Sequence, residues 1–265
     1  MYKLIAIDID DTLINDEKQI TPGTRAAIEE AISAGVVVTI ATGRMYASAK
    51  QLAQKLNLQV PIISYQGSLV KDGATGEVLY ERAVPVDVAQ ELYALSRERG
   101  YHIQAYIEDE LYAAEVNERL QDYCKLSNIP YKIEPDFEKL ASIPSTKLLM
   151  IDDPDKLDRL MEELAPKYAD RVHMTKSKPQ FLEFVHKEGT KGDAVRFLAT
   201  HFGCDISQTI AIGDSWNDAE MVEAAGLGVA MANAVPSLKA VADYVTASNN
   251  EDGVKQVIDK FIFNR

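Results

Sequence analysis

Cysteine, tryptophan and histidine are scarce in this chain of 265 residues, at two, one and four copies. The thiols, Cys124 and Cys204, can close at most one bridge, too few for a disulfide framework. They read instead as reduced, partly buried thiols of a cytoplasmic protein. Neither has clustered Cys or His partners at zinc-ligand spacing, and His102, His173, His186 and His201 are scattered. Long hydrophobic runs are missing too. The longest near the N-terminus, Leu4 to Ile7, stops at Asp8, far short of a signal-peptide core or the ~20 residues of a membrane span. Basic charge is short as well: 28 Lys and Arg against 41 Asp and Glu give a formal charge of −13 and a pI near 4.8. Nucleic acid and anionic membranes, which demand clustered cations, are therefore not expected partners. The sequence carries no internal repeat, no low-complexity tract and no signature of an oligomeric state.

What is present is an ordinary globular mixture, 46% hydrophobic and 26% charged, long enough for one large domain or two modest ones. The first third alternates strand and helix signals. Leu4–Ile7 reads as a short buried strand ending in carboxylates. Thr21-Pro22 opens a helix that stops at Gly35, and Val36–Ile40 is a β-branched strand. Thr42-Gly43-Arg44 then turns into a helix around Met45 to Leu56, and Ile62–Tyr65 is a third strand. Such βαβαβ alternation predicts a parallel sheet with helices on both faces and ligands beyond its carboxyl strand ends. The middle changes rhythm to helix, strand pair, helix, strand, helix, strand pair, which predicts an α+β unit of one antiparallel sheet with helices on one side. The last section returns to strand–helix alternation. The predicted architecture is α/β: a discontinuous core of residues 1–83 and 187–265, interrupted by an inserted unit at 84–186.

Two acidic knots follow short apolar strands. In Asp8-Ile9-Asp10-Asp11-Thr12 the carboxylates two residues apart point the same way on an extended segment, with Cα atoms ~6.6 Å apart. Two such charges at ~4 Å repel by about 4 kcal/mol at an effective dielectric near 20, so something positive is expected there. The second knot is Gly213-Asp214-Ser215-Trp216-Asn217-Asp218. A capping role for Ser215 and a helix-dipole role for Asp218 explain one acid but leave Asp214 uncompensated. Hard oxygen ligands without His or Cys suit Mg²⁺. Thr42 offers a hydroxyl and a backbone N–H at a predicted helix N-terminus, an anion cradle. Lys191 opens another helix, a poor place for a cation unless it neutralises bound phosphate.

In these motifs, taken in order, the chain resembles the haloacid-dehalogenase-like phosphohydrolase superfamily, specifically its Cof-type sugar-phosphatase branch: Asp8-Ile-Asp10-Asp-Thr12, Thr42-Gly43-Arg44, Lys191-Gly192, and Gly213-Asp214-Ser-Trp-Asn217-Asp218. The resemblance spans the whole chain and implies a Rossmann-like core with an inserted α+β cap domain. One departure is Asp11, where many members have Gly.

The resemblance implies a set of roles. Asp8 is the nucleophile that forms an aspartyl-phosphate. Asp10 protonates the leaving alcohol and then deprotonates the attacking water. Mg²⁺ is held by the Asp8 carboxylate, the Asp10 backbone carbonyl and Asp214. Thr42 and Lys191 bind the phosphoryl group, with Gly43 and Asn217 nearby, and Asp218 and Ser215 lie behind them. Apart from the resemblance, Arg44 reads as bracing the site by pairing with a core carboxylate, with contact to the substrate phosphate or a cap residue as the alternative. The implied partner is a small phosphomonoester, a sugar phosphate above all. A phosphomutase, and more remotely a receiver-like phospho-acceptor switch, are the competing readings. Asp10 and the 103-residue insertion count against the switch.

Overall fold

The computed structural model describes residues 1–55 and 61–265. Leu56, where the predicted second helix was to end, lies outside them. In chain order the first stretch forms β1 (Leu4–Ile7), α1 (Pro22–Ser33), β2 (Val37–Ile40), α2 (Tyr46–Lys55), β3 (Ile62–Ser64), β4 (Leu69–Lys71) and β5 (Val78–Glu81). Thr21 caps α1 by accepting the Thr24 N–H, and Pro22 supplies its first turn. The insertion carries α3 (Val86–Arg99), β6 (His102–Ile107), β7 (Glu110–Ala113), α4 (Glu118–Ser127), β8 (Lys132–Ile133), α5 (Phe137–Ala141), β9 (Lys147–Ile151), α6 (Pro154–Tyr168), β10 (Val172–Lys178) and β11 (Phe181–His186). The chain returns with α7 (Lys191–His201), β12 (Thr209–Gly213), α8 (Ala219–Ala224), β13 (Leu227–Ala230), α9 (Pro236–Val241), β14 (Tyr244–Val245) and α10 (Gly253–Phe261). Two compact units result, one of residues 1–80 with 190–265 and one of residues 81–189.

In the first unit five parallel strands run in the order β14-β13-β12-β1-β2. Every residue of Leu4–Ile7 is fully buried, as a strand covered on both faces requires. Register pairs Ile7 with Ile212 and with Ile40, so β1 and β12 end side by side and their following loops leave from one edge. Ile62–Ser64 departs from expectation. It does not extend the parallel sheet as a full strand: a single bridge links Ala41 to Ile63, and β3 pairs antiparallel with β4 in a separate sheet of three. Tyr65 and Gln66 adopt φ of 52° and 63°, which reverse the chain before a longer strand can form.

The second unit is a six-stranded sheet in the order β10-β11-β9-β6-β7-β8, antiparallel except where β7 meets β8. Ile103, Ala105 and Ile107 point with Leu148, Met150, Leu182 and Phe184 into a core shared with α3, α5 and α6. The opposite face is also covered, which corrects the one-sided expectation. There α4 packs, with Tyr123 hydroxyl at 2.5 Å from that of Tyr106 and capping Asn117 at 3.0 Å from His102. That face was hard to foresee because its buried residues are polar: His102, Gln104, Tyr106, and a Lys147–Glu183 ion pair of 2.8 Å. Among the described residues no helix is long and apolar enough to cross a membrane.

Candidate active site

The loops that leave β1 and β12 carry the acidic knots. After β1 the backbone makes one wide turn, closed by the Leu13 N–H on the Asp8 carbonyl at 3.2 Å. Asp11 takes φ 59° within it. Asp8 is buried at the base of this turn, 6% exposed. After β12, Gly213 leads to Asp214 and a tight turn over Trp216–Asp218 that precedes α8. The helix proper begins only at Ala219. Asp218 is wholly buried; its Oδ2 accepts the N–H groups of Asp214 at 2.9 Å and Ser215 at 3.0 Å. This fixes the turn as a reciprocal capping box between Ser215 and Asp218.

Lys191 joins the two knots. As the first residue of α7 it is drawn inward, with a side chain 0% exposed, and its Nζ donates to Asp8 Oδ1 at 2.5 Å and Asp218 Oδ1 at 2.6 Å. Burial works against its charge, but Asp218 and Asp8 more than reverse that, so Lys191 stays protonated well above its ordinary range. Thr12 donates to Asp214 Oδ1 at 3.0 Å, tying the first knot to the second directly. Carboxylate oxygens of Asp8, Asp214 and Asp218 lie within 4.8 Å of one another. Burial, with a further push from the neighbouring acids, raises Asp8 well above the usual carboxylate range while Lys191 pulls the other way. Burial and the charge of Asp218 push Asp214 up to about 7. One buried lysine does not neutralise three such carboxylates, and an all-oxygen donor set fits a hard divalent cation.

The remaining predicted residues form a second group. Arg44 holds Asp10 by both oxygens, Nε to Oδ2 at 2.8 Å and Nη2 to Oδ1 at 2.6 Å, so the Asp10 carboxylate faces Arg44 and lies outside the cluster of three. Thr42 is buried, but its setting differs from expectation: α2 starts only at Tyr46, and the Thr42 N–H is spent on the Ile63 carbonyl at 3.1 Å. It is therefore no helix-terminal anion cradle, and its hydroxyl, which accepts the Arg44 N–H at 3.1 Å, is the group it can offer. Asn217 donates to Gln66 Oε1 at 2.9 Å. Gly43 is small because Gln66 is close: a Cβ there would fall 2.4 Å from the Gln66 Nε2.

Gln66, 2% exposed, was not among the residues singled out from sequence, nor was Thr12 given a task. The polar Gln in a Tyr-Gln-Gly turn after an apolar strand was the available signal. Gly67 completes that turn at φ 109°, and a Cβ on it would meet the Thr190 carbonyl oxygen at 2.0 Å. The turn is thereby packed directly against the start of the helix that bears Lys191.

Residues 5–258 match the haloacid dehalogenase-like hydrolases. The chain belongs to that family. Over 269 residues this hydrolase is 38% identical to a Streptococcus pyogenes serotype M6 protein, M6_Spy0533, provisionally named a phosphatase, with 99% of each chain covered. It is 33% identical over 290 residues to YwtE of Bacillus subtilis, named a 5-amino-6-(5-phospho-D-ribitylamino)uracil phosphatase, with 98% of each covered. Among solved structures it is similar to the HAD subclass IIB sugar phosphatase BT4131, at 27% identity and TM-score 0.87 over 98% of each chain. The fold of this hydrolase, with its parallel α/β core, matches that solved structure over nearly the whole chain.

Proposed function

We propose that this hydrolase is a Mg²⁺-dependent phosphatase of small phosphorylated metabolites, sugar and polyol phosphates foremost, working through an aspartyl-phosphate on Asp8. The observation that carries the reading is the convergence of the Asp8, Asp214 and Asp218 carboxylates within 4.8 Å of one another, with the Lys191 ammonium bonded to Asp8 and Asp218. Relatives named as phosphatases, one of a ribityl phosphate and one of sugar phosphates, support the substrate class.

Asp8, Asp214 and the Asp10 backbone carbonyl would hold the cation, which would neutralise charge on the phosphoryl oxygens. Lys191 engages Asp8 Oδ1, and no other hydrogen bond to the Asp8 carboxylate occurs among the described residues. In the first half-reaction a carboxylate oxygen of Asp8 bonds to phosphorus, the bond from phosphorus to the leaving oxygen breaks, and Asp10 gives that oxygen a proton. In the second, Asp10 takes a proton from water as its oxygen bonds to phosphorus, and the bond to Asp8 breaks, releasing inorganic phosphate. Proton transfer asks Asp10 to yield one of its two hydrogen bonds with Arg44. Lys191, the Thr42 hydroxyl and Asn217 hold the transferring group, and Asp218 keeps Lys191 in place.

The test is phosphate release across a panel of sugar, polyol, nucleotide and cofactor phosphomonoesters, with Asp8→Asn beside the wild type. Turnover falls at least about 1,000-fold in the variant, and chelation with EDTA abolishes wild-type turnover until Mg²⁺ is returned. Wild-type rates in Asp8→Asn would sink the nucleophile, and isomerised substrate with little free phosphate would point to a mutase.

A further inference from the structure

The turn between β13 and α9 reaches both acid-bearing loops, and the reaction just described assigns it nothing. Its Val235 N–H donates to the Asp214 carbonyl at 2.8 Å, and its Met231 N–H to the Gly213 carbonyl at 3.0 Å. From the same turn the Asn233 Nδ2 donates to the Asp11 carbonyl at 2.7 Å. Asn249 orients that amide: its N–H donates to Asn233 Oδ1 at 3.1 Å, which turns the Asn233 nitrogen toward Asp11. The Asn249 side chain, 6% exposed, continues to the Ile14 carbonyl at 3.1 Å and Asp16 Oδ1 at 3.3 Å. The turn that carries Asp8 and Asp10 is thus tied at Asp11 to a segment that also grips Asp214, and at Ile14 to Asn249, which is itself bonded to Asn233.

The grip matters because Asp11 sits at φ 59°, ψ 11°, a left-handed conformation unfavourable for most residues with a side chain, though Asp visits it more readily than most. Such a residue stays there only where its surroundings impose it. The hydrogen bond from Asn233 is made to the carbonyl of this very residue. Asn233 itself is exposed and outside the packed core, so what it supplies is orientation of the loop.

Resting on the reading of the site as a Mg²⁺ phosphatase, we propose that Asn233, aimed by Asn249, is a positioning residue that registers the Asp8–Asp10 turn against Asp214 and thereby sets the affinity of the site for its divalent cation. Asn233→Ala removes the tie. Asn233→Asp keeps its size but opposes an acceptor to the Asp11 carbonyl. Both are compared with wild type by calorimetric Mg²⁺ binding, by hydrogen exchange of the Asp10, Asp11 and Thr12 amides in metal-free protein, and by turnover. Mg²⁺ binding weakens about 10- to 100-fold in each, as for other groups that orient metal ligands. The three amides exchange faster, while the thermal midpoint moves by no more than about 3 °C. Wild-type Mg²⁺ affinity together with wild-type exchange in both variants overturns the proposal. Asp8→Asn run alongside separates the two failures: if it is inactive while the Asn233 variants bind Mg²⁺ normally, only the positioning role falls; if it turns over like wild type, the phosphatase reading itself falls.

Discussion

Asp214 and Lys191 show at the scale of single side chains how burial shapes this site. The Asp214 carboxyl, pushed up to about 7, binds a proton more tightly in the folded protein than in the unfolded chain, where it titrates near 3.8. Its contribution to stability is therefore complete below about pH 4 and is lost as pH rises through 7. A divalent cation competes for the ionised form, so its stabilising effect grows over the same range. Thermal melts with and without Mg²⁺ will show a larger metal-induced rise in Tm at pH 8 than at pH 6. Lys191 is the counterpart. Lys191→Met strands Asp8 and Asp218 without their buried partner, a change expected to cost about 3–5 kcal/mol of unfolding free energy in urea titrations of metal-free protein. Recovery of part of that loss on adding Mg²⁺ is the second expected result, since the cation supplies charge that the lysine no longer does.

At the scale of elements, short turns decide more than the strands they follow. The Tyr65-Gln66-Gly67 turn ends β3 early, places Gln66 against Asn217, and packs on the start of α7. Gly67→Ala combines a positive φ with a 2.0 Å approach to the Thr190 oxygen, so it is expected to destabilise by more than about 2 kcal/mol and to lower kcat by displacing Lys191. Denaturant melts and turnover of the one variant check both halves. The strands were legible because β1 is an unbroken apolar run and β2 and β12 are apolar and rich in β-branched residues with a single threonine each, the mark of strands covered on both faces. The cap of α1 was legible for a similarly local reason, Thr21-Pro22 being followed by helical periodicity. The β4–β5 sheet, α5 and the two-residue β8 escaped because they are too short for periodicity to register. Helix α6 runs on to Tyr168, carrying Pro166 within its last turn.

For the whole molecule, a charge of −13 sets the terms on which an anionic substrate arrives. Repulsion at long range is screened by salt, whereas the buried contacts of Lys191 are not. kcat/KM for a sugar phosphate is thus expected to rise when ionic strength goes from about 0.01 to 0.15 M, where the Debye length shrinks from ~30 to ~8 Å. A fall over that range in stopped-flow or steady-state assays would place net attraction at the site mouth. By itself the sequence determined the α/β alternation of strands and helices, and it supplied the acids, lysine and threonine proposed for the candidate site, because each is written in local pattern or in residue type. Only the tertiary structure decided that Lys191, 183 positions from Asp8, is buried between two carboxylates, that Arg44 takes Asp10, that the Thr42 N–H is already spent, and that Asn233 reaches Asp11. Those are pairings across long loops, set by which strand ends the sheet brings side by side, and no local pattern encodes the partner of a side chain.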